Sequence, residues 1–207
     1  MASVADRIIQ QVAERGPGGW VYTPRDFLGI GSRDAVDQAL SRLVKAGKLR
    51  RIGQGLYDMP RFSGVLNRPA PADIDAAVSA LARRDGVRVM ADGLVAANRL
   101  GLTNAVPAKA SYITDGPSRT LKIDGRTVRF RHGRPRIMQW AGRPAAPVVQ
   151  ALQWLGPDAA SDVQVAATLR RRLRDEVKHD LGQNINDVPG WAVPLARSIV
   201  NAQAVAA

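Results

Sequence analysis

Lys48, Arg50, Arg51 and Gln54 crowd around the tip Gly53-Gln54-Gly55, and Gln38, Ser41, Arg42 and Lys45 precede them at helical intervals. The stretch reads "DQALSRLVKAGKLRRIGQG" over residues 37–55. Its amide, hydroxyl, guanidinium and ammonium groups suit non-covalent recognition of a polyanion. Gln38 can pair through two hydrogen bonds with an adenine edge, and Arg42 with guanine. Lys48, Arg50, Arg51 and Gln54 match phosphates, which orient a protein on a duplex without reading its sequence. Thr23, Arg25, Ser32 and Arg33, near two helix starts just upstream, complete this candidate DNA-binding set.

Bond-making chemistry finds no comparable constellation. The chain has no cysteine, which excludes disulfides, thiolate zinc sites and cysteine nucleophiles. His132 and His179 lack a helix-spaced partner and read as ordinary surface histidines. Asp73 and Asp75 are explained by helix capping, Asp85 by a solvated turn. No P-loop, dinucleotide fingerprint or nucleophile elbow is present. Trp20, Trp140, Trp154 and Trp191 are scattered, as core residues would be. The sequence therefore predicts a protein that is not an enzyme, with no catalytic residue, no metal site and no cofactor.

Charge points the same way. A net charge of +12 over 207 residues and a pI near 11.2 favour nucleic acid first, then an acidic protein or anionic surface. Residues 119–143 hold Arg119, Lys122, Arg126, Arg129, Arg131, Arg134, Arg136 and Arg143 against Asp124 alone, a second basic patch. A solvated face is the plain alternative for such a run. No stretch approaches the roughly 20 apolar residues of a membrane span, and the N-terminus does not read as a secretory signal. A cytoplasmic protein with no membrane partner is expected.

The elements that must position these side chains follow from periodicity. Val4, Ile8, Ile9 and Val12 predict a helix over 3–15. "TPRD" at 23–26 starts a short second helix, with Thr23 as cap and Pro24 at its first position. Ser32 caps a third, which turns Val36, Ala39, Leu40 and Leu43 inward and Asp34, Gln38, Ser41, Arg42 and Lys45 outward. Strands at about 48–52 and 55–59 close a hairpin. Together these make a winged helix-turn-helix over residues 1–60, with the third helix in the major groove and the hairpin as wing. The proline-bearing stretch 61–72 reads as a linker.

Residues 73–207 read as a second, α+β domain. A helix from Asp73 is followed by a short apolar run at 87–90, a helix at 92–102, and strands at 109–114, 120–123 and 127–132. Asp124-Gly125 signals a hairpin between the last two. In "TVRFRH", Val128 and Phe130 alternate with Arg129 and Arg131, predicting one packed and one cationic face. Helices at 147–156 and 158–182 and another after Pro194 complete an α+β fold.

"TPRDFLGIGSRDAVDQALSRLVKAGKLRRIGQGLYDMPR" together with "ADGLVAANRLGLTNAVPAKASYITDGPSRTLKIDGRTVRFRH" resembles the AbiEi-type antitoxins of type IV toxin–antitoxin systems, in their short bacterial form. The resemblance covers roughly residues 3–200 and is most specific in the order "AANRLGLT…VP…YITDG…R". It implies an N-terminal winged helix followed by an antitoxin-type domain. The implied activity is autorepression through inverted repeats in duplex DNA of the protein's own promoter. The implied partner is a nucleotidyltransferase-fold toxin, countered without a stable complex being required. An RNA-binding or protein-docking factor, with the wing as scaffold, is the alternative that the residues leave open.

Overall fold

Residues 2–65, 67–106 and 109–201 are described by the computed structural model. They form a mixed helix-and-sheet, α+β protein. Two compact units divide it: Met1–Val87 with Thr120–Val128, and Arg88–Arg119 with Arg129–Ala207.

The first unit begins with α1 (Val4–Ala13). Ser3 caps it reciprocally, its Oγ accepting from the Asp6 amide and the Asp6 carboxylate accepting from the Ser3 amide. Strand β1 (Val21–Tyr22) leads into a 3-10 turn at Pro24–Phe27, the short second helix of the sequence reading. Then comes α2 (Arg33–Lys45), capped by Ser32 and released at Gly47, whose φ of 69° is open to glycine at little cost. Strands β2 (Arg50–Gly53) and β3 (Leu56–Asp58) complete an antiparallel sheet of order β1-β3-β2. Its register slips between Arg51 and Gly53, which is why Leu49, Ile52 and Leu56 do not alternate cleanly in sequence yet are all buried.

The core of this unit is the inner side of α1 and α2 against the sheet. Ile8, Val12, Val36, Ala39, Leu40 and Leu43 are sealed, and the Tyr22 and Phe27 rings stack at 5.4 Å. Every residue expected on the inward side of the third helix is there. The stretch 61–72, read as a linker, carries its own small hairpin of β4 (Phe62–Ser63) and β5 (Arg68–Pro69). The following α3 (Ile74–Asp85) packs on β1 and belongs to the first unit, not to the second domain. Its apolar side, with Ala77, Val78 and Leu81 buried, supplies a layer that the sequence reading placed elsewhere.

A four-stranded sheet of order β6-β7-β9-β8 is made by β6 (Val89–Ala91), β7 (Ala110–Thr114), β8 (Arg119–Ile123) and β9 (Arg126–His132). The β8–β9 turn and its flanks, Thr120–Val128, count with the first unit. Around the sheet lie α4 (Gly93–Arg99), α5 (Pro135–Met138), α6 (Ala146–Ala160), α7 (Val163–Arg172), α8 (Asp175–Gln183) and α9 (Val193–Val200). Gly156, at φ 77°, breaks α6 ahead of Pro157. Trp140, Met138, Leu152, Leu169 and Leu181 are buried in the core of the second unit. Of the tryptophans expected in cores, Trp154 and Trp191 are instead 43% and 39% exposed.

Two outcomes follow from this packing. Burial pushes the Tyr22 phenol above its ordinary pKa, so the neutral form is the one the fold holds. The stability tied to Tyr22 is complete below the free phenol's pKa of about 10 and is lost as pH rises through the raised value. Tyr22→Phe should flatten that alkaline loss in urea titrations while changing neutral-pH stability by only about 1 kcal/mol. In the second unit, α4 meets α6 at Gly93, where an added Cβ would lie 2.6 Å from Trp154 Cβ and 2.7 Å from the Gln150 carbonyl. Gly93→Ala should lower stability by about 1–3 kcal/mol in the same measurement.

Candidate nucleic-acid interface

Helix α2 has one side sealed in the core and one side in water. Gln38, Ser41, Arg42 and Lys45 are all exposed on the outer side. Among the described residues none of the four makes a side-chain hydrogen bond or ion pair. Arg33, at the start of the helix, pairs with Asp37 at 2.7 Å, but both are well exposed, and such a pair is weak enough to exchange for another anion. Ser32 is exposed and its Oγ accepts from the Ala35 amide.

Two residues of the candidate set are committed to the fold. Thr23 is 1% exposed, and its amide and hydroxyl both donate to Asp26 Oδ2, at 2.6 and 3.0 Å. The polarity that marked it as a contact is the polarity that starts the turn. Arg50 is also turned to the protein. Its Nε and Nη2 donate to the two carboxylate oxygens of Asp58, at 3.0 and 2.6 Å, and Nη1 donates to the Ala70 carbonyl. Arg50 and Asp58 face each other across β2 and β3. The Asp58 hydrogen bonds push the Arg50 pKa further up, against burial that pulls it down. Arg25 remains exposed, with Nη1 donating to the Arg84 carbonyl at 2.5 Å.

That leaves Lys48, Arg51 and Gln54 as the exposed polar residues of the hairpin. Arg51 makes only a 3.4 Å contact from Nε to the Gly53 carbonyl. Beside them, the first unit gathers part of the second basic patch. The Asp124 amide donates to the Ile52 carbonyl at 2.7 Å, on the outer edge of β2, and its side chain accepts from the Ala72 amide at 2.8 Å. Arg126 donates to the Ala72 carbonyl. Asp124 itself holds φ 49°, which aspartate tolerates better than most residues. This clasp brings the Lys122 backbone within 3.4 Å of where a Gly53 Cβ would sit. Lys122, exposed, thereby joins the hairpin surface.

The remaining cations of the patch lie in the second unit. Arg129 and Arg131 are exposed on β9 while Val128 and Phe130 are buried, as alternation predicts. Arg131 lies 3.9 Å from Asp92, and Arg119 stacks over the Phe130 ring. Arg134 and Arg136 are exposed around α5. Arg143 is tied to Asp180 at 3.0 Å and covers the Trp140 ring. Among the described residues no group of three metal-binding side chains gathers, and no helix is long and apolar enough to cross a membrane.

Residues 7–181 match the model of a family described as Family of unknown function (DUF6088), and the chain belongs to that family. No curated protein matches it. Among solved structures it is similar to the RV2827C protein from Mycobacterium tuberculosis, at 19% identity over 96% of this chain and 76% of that one, with a TM-score of 0.44.

The two neighbouring arginines of the hairpin should therefore behave differently. Arg50→Ala strands the Asp58 carboxylate, whose side chain is 6% exposed, and should cost about 3–5 kcal/mol in chemical denaturation. Arg51→Ala should leave the unfolding midpoint within about 0.5 kcal/mol of the parent. Equal, small losses for both would mean that the Arg50–Asp58 pair is not needed to hold the hairpin.

Proposed function

We propose that this member of the family reads duplex DNA through a winged helix-turn-helix in its first unit and represses its own promoter at inverted repeats. The element order helix, strand, turn, helix, hairpin and the sheet order β1-β3-β2 support the winged-helix reading. Helix α2 then stands where the groove-entering helix belongs, and the β2–β3 hairpin is the wing.

One observation carries the proposal. Beyond the exposed carboxylates Asp34 and Asp37 near its start, the outer face of α2 presents a carboxamide, a hydroxyl, a guanidinium and an ammonium that have no side-chain partner among the described residues, while Val36, Ala39, Leu40 and Leu43 on the other face are buried. Base edges need such groups. A protein-docking face would instead offer aromatic or aliphatic anchors at its centre, and none of the four side chains is apolar. The choice of DNA over RNA follows from groove shape: a B-form major groove admits a helix, whereas the A-form one is too narrow. Lys48, Arg51, Gln54 and Lys122 would hold the flanking phosphates.

The resemblance to AbiEi-type antitoxins adds the second half of the reading. The second unit, in the cytoplasm, would counter a nucleotidyltransferase-fold toxin without a lasting complex. Expression of the chain should then restore growth to cells carrying such a toxin from the same operon, and no restoration would remove the antitoxin half alone.

For the DNA half, fluorescence anisotropy on the chain's own promoter and on random duplex is the test. Gln38→Ala and Arg42→Ala should each cost about 1–3 kcal/mol on the promoter site and much less on random DNA. Arg51→Ala should weaken both equally and lower the salt slope by about one unit. Equal losses on promoter and random duplex for the α2 variants would show that this helix does not read sequence.

A further inference from the structure

Far along the chain from the α2 surface, the second unit carries an open groove of about 490 Å3 where the end of α6, α7 and α9 meet. Pro157, Val163, Ala166, Trp191, Pro194 and Leu195 give it an apolar lining. Val163 is 75% exposed and Trp191 39%, while Leu169 and Ile199 of the same helical layer are sealed. Leaving such side chains in water forgoes burial energy, and a concave apolar site of about 300–1,000 Å3 with few fixed polar groups is the usual form of a binding pocket.

The polar groups of the groove are nearly all spent internally. Ser161 Oγ donates to the Asp158 carbonyl at 2.7 Å, and Ser198 Oγ to the Leu195 carbonyl at 2.8 Å. Asp162 caps α7, accepting from the Gln164 amide at 2.8 Å, so its charge faces the positive end of that helix. Arg170 is different. Its Nε donates to the Ser198 carbonyl at 2.8 Å, which fixes the guanidinium in the groove wall, and its two terminal nitrogens have no partner among the described residues. Among the described residues, Arg170 is thus the one cation of the groove lining.

We propose that this groove docks a short segment of a partner protein in which a large apolar side chain is followed closely by an acidic residue. The apolar group lies against Val163, Trp191 and Leu195. The carboxylate closes on the open edge of Arg170, where a charge-assisted hydrogen bond is worth roughly twice a neutral one. Arg170 disfavours a basic residue at the same place. The site lies wholly in the second unit and is independent of the DNA reading.

Panning the full-length chain against random short peptides displayed on phage tests this, followed by titration of labelled synthetic versions of the enriched sequences. The enriched set should share an aromatic or aliphatic residue with Asp or Glu within the next two positions. Val163→Asp, at a side chain already in water, and Arg170→Gln should each weaken binding by at least about tenfold, with the unfolding midpoint unchanged for Val163→Asp. Converting the peptide's acid to its amide should weaken binding to the parent but not to the Arg170→Gln variant, which ties the carboxylate to that guanidinium. Enrichment of basic or acid-free sequences, or binding indifferent to both variants, overturns the proposal. So does a self-association in solution that Val163→Asp abolishes, because the groove would then be a contact between two copies of this chain.

Discussion

The Arg50–Asp58 pair is the contact on which the candidate surface depends. A planar guanidinium meets a carboxylate edge to edge across β2 and β3, and its third nitrogen reaches the Ala70 carbonyl. One side chain thus ties the hairpin together and ties it to the segment that leads into α3. Such a pair adds little over a well-packed apolar substitute, because both ions must leave water. Its value is geometric: two parallel hydrogen bonds at a fixed angle set where the rest of the hairpin points. The Asp124 clasp acts from the other side, closing the free edge of β2 that would otherwise offer unpaired backbone groups to another strand.

Charge in this protein divides into two populations with different physics. Arg50, Arg126 and Arg143 are held by carboxylates or carbonyls and act as struts. Arg15 and Arg83 lie over the Trp20 ring, 3.8 and 4.4 Å from its centroid, and Arg83 also donates to the Val21 carbonyl. Arg42, Lys45, Lys48, Arg129, Arg134 and Arg136 are exposed and make no ion pair among the described residues. This second population, part of it in each unit, keeps its charge in water. A count of +12 describes both populations together and so overstates the surface that is free to bind.

Local pattern was enough for much of the fold. The inward residues of α2, the caps Ser32 and Asp73, the Asp124-Gly125 turn and the alternation along β9 could all be read from spacing and residue type, because each depends on neighbours within a few positions. The exposed face of α2 was legible for the same reason, since a helix that buries one side must show the other. The cap role of Thr23 was legible in "TPRD", and the structure shows that this role takes up the side chain also counted as a DNA contact. The role of Arg50 was not legible, because an arginine in a hairpin looks the same whether it meets a ligand or a carboxylate of its own chain.

What the sequence alone determined is therefore the α+β class, the outer residues of α2 and the sign of the surface. Only the tertiary structure decided that α3 belongs to the first unit, that residues 120–128 return to it, and that Lys122 stands beside the hairpin while Arg50 is withdrawn from its surface. The physical reason is range. Periodicity and capping act over three or four residues, whereas Asp124 meets Ala72 across 52 positions and Arg126 meets it across 54. Contacts of that separation depend on how whole elements pack, and no local spacing of residue types encodes them.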